Sequence, residues 1–204
     1  MSDLNVVSIS EAKLPAEPFV ARHLIDGDWR QSADGSTFDR VSPSHGSVVT
    51  KAAKGGARDV DAAVSAARLA FDKGRWSRTS GKERATLLLK IADLIDRERE
   101  RIAYWETLES GKPISQAMAE IEGASDIWRF AASLARTMHG ESYNSLGSDM
   151  LGLVLKEPVG VVSIITPWNF PFLIVSQKLP FALAACGDAV PRPSPFSPAT
   201  PFFL

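Results

Sequence analysis

Residues 158–177, PVGVVSIITPWNFPFLIVSQ, carry no charge and three prolines, and no other stretch constrains the fold as tightly. A run of this length is long enough to cross a bilayer as one helix. Pro158, Pro167 and Pro171, with Gly160 and Asn169, break any such helix, so a membrane span is not expected. The alternative is a buried strand, a turn and the start of a helix. Residues 159–165 are rich in β-branched side chains and apolar on both faces, as a central parallel strand should be. Residues 170–185 then read as a helix interrupted near Pro180. A strand that runs into a loop and then a helix makes the chain α/β. Open α/β sheets bind their ligands at such places.

The upstream sequence is punctuated by local signals. Residues 1–22 read as a loosely attached arm. Asp26-Gly27, between apolar flanks, predicts a hairpin with a type I′ turn. Asp34-Gly35 repeats that turn chemistry, and Phe38, Val41, Val48 and Val49 suit short strands separated by a loop at Pro43 and Gly46. From Val60 the period becomes helical, through Ala63, Val64, Ala67 and Phe71, with Gly74 as the stop. Ser80 and Glu83 form an S-x-x-E capping box, which predicts a helix start near Gly81. Ala85, Leu88, Leu89, Ala92, Ile95 and Ile102 draw its stripe, and the helix is expected to continue towards Leu108 and stop at Gly111-Lys112-Pro113. A third helix carries Ile114, Met118, Ile121, Ser125, Trp128, Ala132 and Ala135 on one face and closes at Gly140. Residues 150–155 form another β-type run. Pro191, Pro193, Pro195, Pro198 and Pro201 crowd the end, which predicts an extended or disordered tail and an unfinished strand–helix–strand unit.

Composition excludes several functions. Of 204 residues, 45% are hydrophobic and 23% charged, an ordinary globular balance. Lys+Arg number 23 against 24 Asp+Glu, so no bulk positive field exists to hold a nucleic acid or an anionic membrane. The single cysteine, Cys186, rules out an internal disulfide and a cysteine-based zinc site. His23, His45 and His139 are scattered, so no metal site is expected. The N-terminus has early acidic residues and no basic segment before an apolar core, which makes a cytoplasmic location the expectation. Residues 93–101, DLIDRERER, read as a solvated helix face with i,i+4 charge pairs. Trp76, Trp105 and Trp128 read as core or groove aromatics. No G-x-G-x-x-G, Walker A, G-x-S-x-G or H-E-x-x-H pattern occurs.

The loop Thr166-Pro167-Trp168-Asn169-Phe170-Pro171 holds the main candidate. An Asn here has two readings. Its amide N–H can stabilise a developing oxyanion, or its side chain can cap the following helix. Cys186 follows Ala184-Ala185 with no basic neighbour in sequence and reads as a small buried residue. His139 reads as a helix-end residue.

Residues 156–185, KEPVGVVSIITPWNFPFLIVSQKLPFALAA, closely resemble the NAD(P)-dependent aldehyde dehydrogenase superfamily. LIDGDW with its following DG, the D-V-D-A-A-V-x-A-A-R-x-A-F stretch (59–71), W-S (76–77), residues 83–95, E-T-L-E-S-G-K-P-I (106–114) and H-G-E (139–141) extend the resemblance in family order over residues 24–185. It implies an α/β fold, namely an incomplete Rossmann-like dinucleotide-binding domain with an N-terminal hairpin and helices and the start of an oligomerisation strand arm. The implied division is 1–22, an N-terminal arm; 23–140, the N-terminal part of the dinucleotide-binding domain; 141–158, the start of the arm for subunit pairing; and 159–204, the first strand–helix–strand of the cofactor sheet.

The implied activity is oxidation of a small aldehyde to a carboxylate with NAD or NADP, in a homo-oligomer. A cysteine thiolate attacks the aldehyde, an Asn amide and a backbone N–H hold the oxyanion, and a glutamate helps water release the product. Asn169 matches the oxyanion Asn. Ile165, Thr166, Pro167 and Trp168 match residues lining the nicotinamide and ribose side of the cofactor groove, and Lys178 matches a supporting lysine. The family's nucleophile and general base fall beyond position 204, and Cys186 does not match the nucleophile. Arg192-Pro193 stands where the family has Lys-Pro, and Pro195 where it has the ribose-binding Glu, so Arg192 keeps a cation while Pro195 cannot accept a hydroxyl bond. Ser197, Pro198 and Thr200 again look family-like. The expectation is a truncated chain, inactive alone. The rival reading is a non-catalytic remnant or partner-binding protein.

Overall fold

The computed structural model describes residues 14–204. The first thirteen residues of the expected N-terminal arm lie outside the described residues. What is described of that arm is not loose. Strand β1 (Phe19–Ala21) pairs in parallel with β5 (Val48–Ala53), which pairs antiparallel with β4 (Thr37–Val41). Phe19 also packs against Trp105 in a tilted arrangement, ring centres 5.1 Å apart. Apolar contact of this kind, invisible to local sequence, converts the arm into an edge strand.

Strands β2 (His23–Ile25) and β3 (Asp28–Arg30) form the expected hairpin. Asp26 and Gly27 have φ of 55° and 79°, the two left-handed residues that a type I′ turn requires. Helix α1 (Ala57–Lys73) ends at Gly74 as its period predicts.

Helix α2 (Gly81–Arg97) begins at the capping box. The Ser80 hydroxyl accepts from the Glu83 N–H at 3.2 Å, and Glu83 Oε2 accepts from the Ser80 N–H at 2.8 Å. The single long helix expected after it is two. The chain breaks at Glu98 (φ −94°, ψ 6°), and α3 (Arg99–Ser110) starts there. Gly111 ends α3 at φ 77°, and α4 (Ile114–Thr137) follows. It stops three residues before Gly140.

The core is built on α2 and α4. Ala85, Leu88, Ala92 and Ile95 of one face Ala117, Ile121, Ala124, Trp128, Ala131 and Ala135 of the other, all buried. Small and large side chains recur at three- and four-residue spacing, which lets two helices interdigitate. Phe172 and Ala184 join the same cluster. Among the described residues no helix is long and apolar enough to cross a membrane.

Strands β6 (Glu141–Tyr143) and β7 (Gly152–Val154) pair only with each other among the described residues. Strand β8 (Val161–Ile165) pairs in parallel with β9 (Asp188–Arg192). The connection between them is a pair of short helices, α5 (Pro171–Ser176) and α6 (Leu179–Ala184). Each has its proline in the first turn, where a missing N–H costs no helical bond.

The proline-rich end is therefore not a disordered tail, and the strand–helix–strand unit is complete. Pro191 sits in β9 opposite Ile164, tolerated because β9 has a single strand neighbour among the described residues. Beyond it, Ser197, Ala199 and Thr200 are fully buried. Ala199 packs with Val49, Trp105 and Leu108 in a second core cluster. Trp29 stacks on Phe202 at 4.0 Å.

Candidate active site

The site forms where β8 and β9 end together. Their register sets Ile165 beside Arg192, and the Thr166 N–H donates to the Arg192 carbonyl at 3.3 Å. Strand alternation continues through this point. Ile164 and Thr166 are buried, whereas Ile165 is 64% exposed. Pro167, Trp168, Asn169 and Arg192 are also exposed. Trp168 meets Phe196 edge-on at 6.5 Å. The structure thus brings Ile165, Thr166, Pro167, Trp168, Asn169 and Arg192 to one sheet edge.

Asn169 is not the helix cap. The N-cap of α5 is Phe170, and among the described residues no side-chain capping bond is made there. The Asn169 amide is left on the surface of the turn.

The turn is held from both sides. Behind it, Phe172 is fully buried, and the Trp128 Nε1–H of α4 donates to Ser176 Oγ at 3.1 Å, seating α5 on α4. In front, Lys112 Nζ donates to the Asn169 carbonyl oxygen at 2.8 Å. The same ammonium donates to Glu106 Oε1 at 2.7 Å and to Glu120, and lies 4.8 Å from the Phe170 ring centre. Lys112 is 9% exposed and Glu106 fully buried. Burial pushes the Glu106 carboxyl up, the neighbouring Glu120 carboxyl pushes it further, and Lys112 opposes both. Among the described residues, Glu106 Oε2 and Glu120 Oε1 are buried side-chain oxygens without a hydrogen-bond partner, so the Lys112 ammonium bonds one oxygen of each carboxyl and leaves the other unsatisfied. None of these three charges stands out in the sequence. Their spacing across the Gly111 turn resembles that of surface charges, and only the packing of α3 against α4 brings them together.

Lys178 lies exposed at the break between α5 and α6. Cys186 follows α6 in the left-handed conformation, φ 62°. Its N–H donates to the Leu183 carbonyl and the Gly187 N–H to the Ala182 carbonyl, the double closure of a Schellman motif. Cys186 is a helix-terminating residue, partly exposed rather than fully buried. No group of three or more His, Cys, Asp or Glu side chains among the described residues is arranged to hold a metal.

Residues 29–204 match the aldehyde dehydrogenase family. The chain is 38% identical over 176 residues to betaine aldehyde dehydrogenase of Bacillus subtilis (strain 168), covering 86% of this chain and 36% of that protein. It is 39% identical over 178 residues to the NADP/NAD-dependent aldehyde dehydrogenase PuuC of Escherichia coli (strain K12), covering 87% and 36%. Its structure is similar to that of the NAD-dependent aldehyde dehydrogenase from Sinorhizobium meliloti, with a TM-score of 0.89 and 49% identity over 91% of this chain and 37% of that one. The chain spans little more than a third of the length of these relatives. With the match running from β3 to the last residue, the chain belongs to the aldehyde dehydrogenase family.

Proposed function

We propose that this chain supplies the oxyanion donor and one wall of the cofactor groove of an aldehyde dehydrogenase, which oxidises a small aldehyde to its carboxylate. The observation that carries the reading is Asn169: exposed, free of any capping duty, and fixed at the C-terminal edge of a parallel strand pair. An amide N–H held in this way donates to an oxygen as negative charge develops on it. The fixed backbone means that little reorganisation is needed at that moment.

The adjoining residues suit NAD or NADP. Ile165 and Trp168 are large apolar side chains more than half exposed, as expected of a wall awaiting a flat ring. Arg192 adds a cation for a phosphate or ribose oxygen. The dinucleotide, when bound, supplies the hydride acceptor. The chain's own residues orient it, with Pro167 stiffening the wall and Thr166 pinned to β9.

The proposal includes a cytoplasmic location and a homo-oligomer built through 141–158. The β6–β7 ribbon, separate among the described residues, supports the subunit pairing, because Leu153 within it and Leu151 and Leu155 beside it are more than 60% exposed. The proposal assigns 23–140 to the N-terminal part of the dinucleotide-binding domain and 159–204 to the first strand–helix–strand of the cofactor sheet.

The test joins residues 1–204 to the remaining length of the Sinorhizobium meliloti relative and measures reduced nicotinamide by absorbance. Turnover of an aldehyde with NAD+ or NADP+ is expected. A folded chimera that binds neither dinucleotide and turns over no aldehyde contradicts the reading and favours a non-catalytic remnant.

A further inference from the structure

We propose that Lys112 is the positioning residue for Asn169, a role carried by the hydrogen bond from its buried ammonium to the Asn169 carbonyl oxygen. The inference rests on the reading of Asn169 as an oxyanion donor, since only then does the turn's geometry matter to chemistry.

A primary ammonium has three donors and no acceptor. Lys112 has three oxygen partners here, one each on Glu106, Glu120 and Asn169. The carboxylates come from α3 and α4, and the lysine from the turn between them. Gly111 makes that turn possible, at φ 77° and with Pro43 Cγ only 2.8 Å from where a Cβ would stand. The Lys112 N–H is in turn bonded to Ser110 Oγ at 3.2 Å. The ammonium's direction is therefore set before it meets Asn169.

A buried ion cluster is a weak source of stability, because desolvation offsets the attraction and apolar side chains of similar size do as well. What an apolar trio would not provide is a donor to a carbonyl 57 residues away. Its target is the peptide joining Asn169 to Phe170, and Phe170 is the N-cap of α5. Fixing that peptide fixes where the Asn169 side chain begins, and the Phe170 ring over the same ammonium restrains the next residue.

The test is backbone NMR on the 204-residue chain, independent of turnover. In Lys112→Met the Asn169 carbonyl carbon resonance should move, and order parameters at 168–170 should fall from about 0.85 to below about 0.6. The α2 signals should stay in place. If Lys112→Met does not fold, Glu120→Gln serves instead: it removes one of the ammonium's charged partners, and a smaller displacement of the same resonance is expected. Leu88→Ala, a core truncation that loses stability without touching the cluster, should leave the turn as ordered as in the parent. The proposal is overturned if the Asn169 resonance and the order of the turn are unchanged in the folded lysine variant, or in Glu120→Gln where that variant is used. It is equally overturned if Leu88→Ala loosens the turn as much. A chimera that fails to turn over while Lys112→Met loosens the turn would strike the oxyanion reading and leave the positioning contact standing.

Discussion

Both carboxylate oxygens of Glu109 lie 3.0 Å from the backbone N–H of Ala199, ninety residues further along the chain. Thr50 Oγ1 donates to one of the same oxygens at 2.7 Å. A single acidic side chain thus fastens β5, α3 and the proline-rich end together. Burial pushes its carboxyl up from 4.5 to about 7, against the opposing effect of these hydrogen bonds. The folded chain therefore binds a proton between pH 4.5 and 7 that the unfolded chain has released. Stability from this group is fully present below pH 4.5 and is lost as pH rises through 7, with a limiting slope of about 1.4 kcal/mol per pH unit for one proton.

Glu109→Gln removes this proton while keeping the shape. Its stability relative to the parent should rise between pH 5 and pH 8, as measured by denaturant unfolding across that range. A difference that is flat with pH would show that Glu109 is ionised in the folded chain.

Cys186 occupies a helix-closing position normally taken by glycine. A left-handed residue with a Cβ costs roughly 1–2 kcal/mol, partly offset by the greater freedom of glycine in the unfolded chain. Cys186→Gly should stabilise the chain by about 0.5–1 kcal/mol. Thermal melting checks this, and a lower Tm would mean that the cysteine side chain packs more favourably than its backbone suffers.

The 204-residue chain alone should form no reduced nicotinamide from aldehydes. Cys186 is its only cysteine, and it serves as the Schellman residue that closes α6, away from the Asn169 turn in sequence. Steady turnover by the purified chain, abolished by Cys186→Ser, would contradict this.

The sequence was most informative where the causes are local. Asp26-Gly27 specifies its own turn, and Ser80 and Glu83 satisfy each other's backbone N–H groups, so neither depends on the rest of the fold. The strand–turn–helix around Asn169 is legible for the same reason. The break at Glu98 is not, because the apolar spacing resumes in α3 with Ile102 and hides it. The proline-rich end has the sequence of a tail, because its order comes from Glu109 and Trp105, far upstream. At the site, Lys112 is inconspicuous for a similar reason. One lysine and two glutamates spread over fifteen residues read as surface until α3 and α4 bury them.

The most direct measurement is the kcat of the chimera carrying Asn169→Ala, beside the unaltered chimera. A donor that acts only as charge develops affects the transition state and not the bound substrate. Its loss should lower kcat by on the order of 100- to 1000-fold, or about 3–4 kcal/mol, with KM and Tm little changed. A kcat within about threefold of the unaltered chimera would contradict the oxyanion role of Asn169.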